Sequence, residues 1–154
     1  MKKLILFLFF LAITSTGFAQ LRSYPFEQID SLQQIQKRKV IVFIHTDWCK
    51  YCQAMKNSTF KNKTIIAQLN AEFYFVDFNA EEKKTIRFNN QTFNYNPNGN
   101  SSGVNELAIQ LGTVKNQITY PIICVLNPEN EIIFQDTSYR NTKDFELILA
   151  KLKD

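Results

Sequence analysis

Apolar residues along this chain fall into short, sharply bounded runs, separated by mixed stretches of helical period. From Pro25 to Lys39, the residues Phe26, Ile29, Leu32 and Ile35 recur at helical spacing among Gln, Lys and Arg, which predicts an amphipathic helix. Val40-Ile41-Val42-Phe43-Ile44 is continuous, β-branched and aromatic. It is too short for an ordinary helix and suits a strand buried on both faces. Helices are expected from about Cys49 through Asn57 and from Thr64 to Asn70, and a second strand over Phe73-Tyr74-Phe75-Val76-Asp77-Phe78. Strand, helix, strand at this spacing is a βαβ unit with two parallel strands.

The pattern breaks over residues 85–102. Thr85-Ile86-Arg87-Phe88 and Gln91-Thr92-Phe93-Asn94-Tyr95 flank Asn89-Asn90. Asparagine tolerates positive φ, so a small hairpin is expected. Asn96 to Gly103 reads as a loop by composition. Leu107, Ala108, Leu111 and Val114 predict a third helix, and Ile122-Ile123-Cys124-Val125-Leu126 a third core strand. Asn127-Pro128-Glu129-Asn130 is a turn with proline at its second position. Glu131-Ile132-Ile133-Phe134 then returns as a fourth, antiparallel strand. Thr142 to Leu152 closes the chain as a helix with Phe145, Ile148, Leu149 and Leu152 on one face.

The first nineteen residues do not belong to this pattern. Lys2-Lys3 precedes a ten-residue apolar run, Leu4 to Ile13, and small residues precede a cut after Ala19. This is the layout of a secretory signal peptide. The expected organisation is therefore a signal over 1–19 and one domain over 20–154, exported to the periplasm or outside the cell. Removing the leader removes Lys2 and Lys3 and leaves sixteen basic against fourteen acidic residues. That near-neutral balance gives no electrostatic footprint for nucleic acid.

Export changes the meaning of the three cysteines, because thiols can be oxidised there. Trp48-Cys49-Lys50-Tyr51-Cys52 directly follows the first buried strand. Half of a zinc site is one reading, but there is no second such pair and the single histidine is His45, so the usual four ligands are missing. A c-type haem would need histidine next, and the residue is Gln53. A structural disulfide and a redox-active dithiol remain. A strand-to-helix transition inside a βαβ unit favours the second. Cys49 there would meet the unpaired N–H groups and positive end of the helix, with Lys50 adding charge of the same effect. A thiol of pKa about 8.5 is only about 3% thiolate at pH 7, and a shift to about 7 raises that to about half. Cys52, one turn on, could attack a mixed disulfide formed at Cys49. Cys124, in a core strand, reads as a small buried hydrophobe.

From Val40 to the C-terminus the chain resembles the thioredoxin superfamily. The likeness rests on the buried strand, Trp48-Cys49-Lys50-Tyr51-Cys52, Tyr120-Pro121 before a core strand, the final hairpin and the last helix. Asp47-Trp48-Cys49 and Lys56-Asn57-Ser58-Thr59-Phe60 are similar to small exported thioredoxin-like proteins. The resemblance implies an α/β thioredoxin-like fold: a central mixed sheet of about four to five strands flanked by helices, with 85–102 as an inserted hairpin and loop. It implies that Cys49 attacks, that Cys52 resolves and that Pro121 is the cis-proline facing the dithiol. Trp48, Tyr51, Tyr120 and Pro121 are then expected to contact substrate, and Lys50, Asp47 and His45 to modulate the thiols. No metal and no cofactor beyond the Cys49–Cys52 disulfide is expected. The implied partners are protein disulfide or dithiol clients and a membrane-bound electron donor, acting on a monomer with no stable membrane insertion after cleavage. The implied activity is thiol–disulfide exchange in the reductase direction; an oxidase, an isomerase or a non-catalytic binding module are its rivals. Thioredoxins proper keep a buried acid six positions before the first cysteine, and here that place is Phe43. Deprotonation of Cys52 must then use water, Asp47 or His45. Lys50-Tyr51 replaces the Gly-Pro of thioredoxin, and Tyr120 is bulky for the residue before the proline.

Overall fold

A computed structural model of the chain describes residues 20–99 and 102–153. The leader expected over 1–19 lies outside the described residues. Helix α1 (Phe26–Ile35) opens after Pro25, whose fixed φ suits a helix start. It is shorter than the apolar spacing predicts, and Ile35 points out, 84% exposed. Gln33 takes the inward place instead. Its side chain accepts from the Arg38 N–H (2.9 Å) and donates to the Arg38 carbonyl (2.6 Å), so one amide satisfies both backbone groups where the chain reverses.

Strand β1 (Lys39–His45) follows, then α2 (Lys50–Asn57), a short 3-10 turn (Thr59–Lys61), α3 (Lys63–Glu72) and β2 (Phe73–Asn79). Two hairpins come next, β3 (Ile86–Phe88) with β4 (Gln91–Phe93), and β5 (Tyr95–Pro97) with β6 (Gly103–Asn105). Helix α4 (Glu106–Gly112), strands β7 (Ile122–Leu126) and β8 (Ile132–Asp136), and helix α5 (Thr142–Leu152) complete the chain. The main sheet has four strands in the order β2-β1-β7-β8. β1 is parallel to β2 and antiparallel to β7, and β7 is antiparallel to β8. The sheet is thus mixed, as expected.

β1 is buried on both faces because helices cover both. Val40, Val42 and Ile44 point to one side, with Phe26 and Ile29 of α1, Leu107 and Leu111 of α4 and Cys124. Ile41 and Phe43 point to the other, with Met55 of α2, Ile65 and Leu69 of α3 and Phe145 of α5. The two-residue period of a strand makes this division. Cys49 and Cys52 belong to the second side.

Residues 96–103 differ from the loop that their composition suggests. β5 and β6 pair there, Tyr95 opposite Asn105 and Pro97 opposite Gly103. Gly103 makes the pairing feasible, because a Cβ at that position would collide with the Asn96 carbonyl and the Tyr95 ring. The first hairpin turns at Asn89 and Asn90, both at positive φ (51° and 58°), as a tight two-residue loop requires. Phe88 packs on Phe26, 5.0 Å between ring centroids. The Asn89 N–H donates to Asp30, which also accepts from Asn130 in the β7–β8 turn. Leu126, just before that turn, pairs with Val40 at the start of β1. The tip of this hairpin therefore lies at the end of the sheet remote from the cysteines.

Gly103→Ala is expected to cost about 1–3 kcal/mol through overpacking. Urea denaturation followed by circular dichroism should show a lower midpoint with an unchanged slope.

Candidate active site

β1 ends at His45, and one loop of three residues carries the chain into α2 with Cys49 as its N-cap. The Cys49 N–H bonds back to the Thr46 carbonyl at 3.3 Å. The Cys52 N–H donates to Cys49 Sγ at 3.1 Å, so sulfur occupies the place of an ordinary capping oxygen. Cys49 and Cys52 are joined as a disulfide with their Cα atoms 5.2 Å apart. The first turn of α2 carries no acidic residue, so the positive end of the helix stays uncompensated beside the sulfur. On reduction, a thiolate at Cys49 would meet that field and a ready N–H donor, both of which favour the charged form. Cys49 is 5% exposed and Cys52 fully buried, so Cys49 is the sulfur within reach of a partner.

Aromatic side chains ring this point. Trp48 and Tyr51 are about two-thirds exposed, at 67% and 66%. The Trp48 ring meets Tyr120 edge-on at 6.0 Å, and its Nε1 donates to Glu81 at 3.2 Å. Tyr51 leans on Tyr139 at 6.1 Å. The Tyr120–Pro121 bond is cis. Pro121 directly precedes Ile122, which pairs with Ile44 at the cysteine end of β1. The Tyr120 hydroxyl is buried without a hydrogen-bond partner among the described residues. Burial, with Glu81 nearby, pushes its pKa up to about 12, so it stays a neutral donor. Asp47, two residues before Cys49, and Lys50, between the two cysteines, are both exposed.

His45 is buried rather than solvent-facing. Its ring stacks on Phe43 at 5.6 Å, and its Nε2 lies 2.9 Å from Asp77 and 2.9 Å from Lys56. Lys56 and Asp77 are themselves paired at 2.8 Å. Burial works against a charged Asp77, but hydrogen bonds from His45 and Lys56, and their charge, outweigh it and hold its carboxyl below the usual value. Reasoning from sequence did not find Asp77, Lys56, Glu81 or Tyr139. Asp77 had a signal, as the one charged residue in an otherwise apolar strand. Lys56 had another, four residues after Cys52 on a helix. Glu81 and Tyr139 reach the site only through the fold. Cys124 faces the opposite side of the sheet from the disulfide and is fully buried. Burial pushes its pKa up to about 12.

A mixed sheet, a cysteine pair at the start of the helix after its central strand, and a cis-proline at the same end of that sheet define a thioredoxin-like fold with a disulfide oxidoreductase site. The chain belongs to the thioredoxin-like domain family, which matches residues 25–153. No curated protein is significantly similar to it in sequence. Among solved structures it is similar to the DsbH oxidoreductase, at 12% identity and a TM-score of 0.63, with 92% of each chain covered. It is similar to a thioredoxin from Thermus thermophilus, at 21% identity and a TM-score of 0.61, covering 87% of this chain and 88% of that one. A disulphide isomerase from Xylella fastidiosa Temecula1 is 12% identical with a TM-score of 0.56, covering 83% and 87%. At such identities these likenesses describe the fold.

Two outcomes are expected. The native reduced protein should titrate two thiols, the third appearing only after denaturation, because Cys124 is buried and its pKa raised. The folded-state pKa of Asp77 is depressed below 3.8, so its stabilisation is present above that pH and lost as pH falls through the folded value. Below about pH 4, wild type should therefore lose stability more steeply than Asp77→Asn, as acid titrations of unfolding would show.

Proposed function

We propose that the protein is an exported thiol–disulfide oxidoreductase that reduces disulfides in protein clients through Cys49 and Cys52. The observation that carries this reading is the N-capping contact between the Cys52 N–H and Cys49 Sγ. A structural disulfide has no need of a sulfur poised at a helix N-terminus that lacks acidic compensation. Cys49 thiolate attacks a client disulfide, one client thiolate leaves, and a Cys49–client mixed disulfide forms. Cys52 then attacks Cys49 Sγ, the intramolecular disulfide closes and the second client sulfur departs. The exposed rings of Trp48 and Tyr51, with Tyr120 and Pro121 beside them, form an apolar rim for the chain that carries the client disulfide. Lys50, between the cysteines, and Asp47, just before them, tune the pair. No cofactor is required beyond the disulfide itself. The near-neutral charge of the chain after its leader suits clients chosen by apolar contact rather than by charge. A membrane-bound donor would recharge a monomer released into the periplasm or beyond.

Insulin reduction with dithiothreitol as the electron source tests the reading. Wild type should accelerate turbidity, Cys49→Ser should fall to the uncatalysed rate, and Trp48→Ala should raise KM by roughly fivefold, about 1 kcal/mol of lost rim contact. Equal, background rates for wild type and Cys49→Ser would end the enzyme reading. Equilibration with glutathione tests direction, and a potential above about −150 mV would place the protein with oxidants.

A further inference from the structure

Closure of the disulfide needs Cys52 as a thiolate, and Cys52 is fully buried, so its proton has no direct path to water. We propose that His45 is the base that takes this proton, with Asp77 accepting from its Nε2–H and Lys56 holding Asp77 in place. The assignment rests on the dithiol exchange proposed above. His45, Asp77 and Cys52 lie on one face of the sheet. His45 continues the alternation Ile41, Phe43, and Asp77 continues Phe73, Phe75; these four apolar residues pack in the cluster that contains Cys52. Lys56 stands four residues after Cys52 on α2, one turn along the same side.

His45 Nε2 faces an acceptor, Asp77 Oδ1 at 2.9 Å, and a donor, Lys56 Nζ at 2.9 Å, and Lys56 also donates to Asp77 Oδ2 at 2.8 Å. The tautomer that serves as a base is the one in which Nε2–H donates to Asp77, because it leaves a lone pair on Nδ1. Nδ1 is buried and has no partner among the described residues. An unmade hydrogen bond of this kind costs stability, and with the proton on Nε2 it is a vacant proton acceptor. The other end of the cluster is wet. Lys56 and Asp77 line a cavity of about 280 Å³, whose wall also holds Phe60 and Lys61. The Asp77 side chain is 35% exposed where that of His45 is 5%. Charged groups face His45 from α2, as Lys56, and from β2, as Asp77. β7 sets Ile122 and Ile123 against its neighbours Ile44 and Phe43, and the helical layer adds Phe60 against Phe43.

In the mixed disulfide, the Cys52 thiol gives its proton to His45 Nδ1 and the thiolate attacks Cys49 Sγ. The Cys49–Cys52 bond forms and the Cys49–client bond breaks. The electron pair leaves on the client sulfur, which receives the proton from His45. The protein dithiol is oxidised by two electrons and the client disulfide reduced by two, with no further reagent.

A stopped-flow reaction of the reduced protein with dithiobis-nitrobenzoate separates the steps. The first coloured thiolate marks attack by Cys49, and the second marks closure by Cys52. His45→Phe, which keeps a ring stacked on Phe43, is expected to slow the second release about 100-fold at neutral pH, at least tenfold more than the first. Its second phase should become first order in hydroxide, whereas that of wild type should not. Asp77→Asn should slow the second release by a smaller factor, and it decides the matter if His45→Phe does not fold. An unchanged second release in either folded variant, or equal slowing of both releases, overturns the relay alone. No second release from wild type would overturn the exchange itself and the relay with it.

Discussion

The contact between a backbone N–H and a sulfur at the start of α2 organises this molecule. A helix N-terminus has N–H groups with no internal partner, and something must accept from them. Serine or aspartate would do so with oxygen. Here Cys49 does so with sulfur, and the acceptor gains strength as the sulfur becomes charged. For that to happen, the buried strand β1 must stop at His45 and the chain must enter the helix almost at once. β1 can stop there because β2 and β7 fix its register on either side, down to His45 against Asn79 and Ile44 against Ile122. The Tyr120–Pro121 bond arrives beside the cysteine loop for the same reason, since β7 begins where β1 ends.

The charge pattern beneath the disulfide shows how one substitution reshapes its surroundings. An acid at the position of Phe43 would face the disulfide from the middle of β1. With phenylalanine there, the acid appears opposite it, at Asp77 on β2. The carboxylate is thereby moved toward the open edge of the sheet, where it keeps partial access to water. His45 stacks on that phenylalanine and reaches the displaced carboxylate with Nε2.

Much of this was legible in the pattern of residues. Continuous apolar runs mark β1, β2 and β7, because strands covered on both faces carry no alternation to confuse the reading. The cysteine pair and the proline are recognisable because few residue types perform those tasks. Pattern failed where a polar side chain replaced an apolar one for a reason of geometry. Gln33 displaces Ile35 from the inner face of α1 because a side-chain amide can close the turn at Arg38. Residues 96–103 look like a loop because asparagine, serine and glycine dominate them, yet Gly103 is there to admit Tyr95. Glu81 and Tyr139 were illegible for another reason. Each is an ordinary residue by type, brought to the aromatic rim by elements that are distant in sequence.

The division of the core by the sheet has a further meaning. One face carries the disulfide and the aromatic packing under α2 and α5, with His45 stacked on Phe43. The other face holds α1, α4, the first hairpin and the spare thiol of Cys124. Along β1 each side chain belongs to one face only, whereas Tyr120 packs against both. A change in the hairpin or α1 therefore meets the redox half only across the sheet and through Tyr120, the ring that touches both cores.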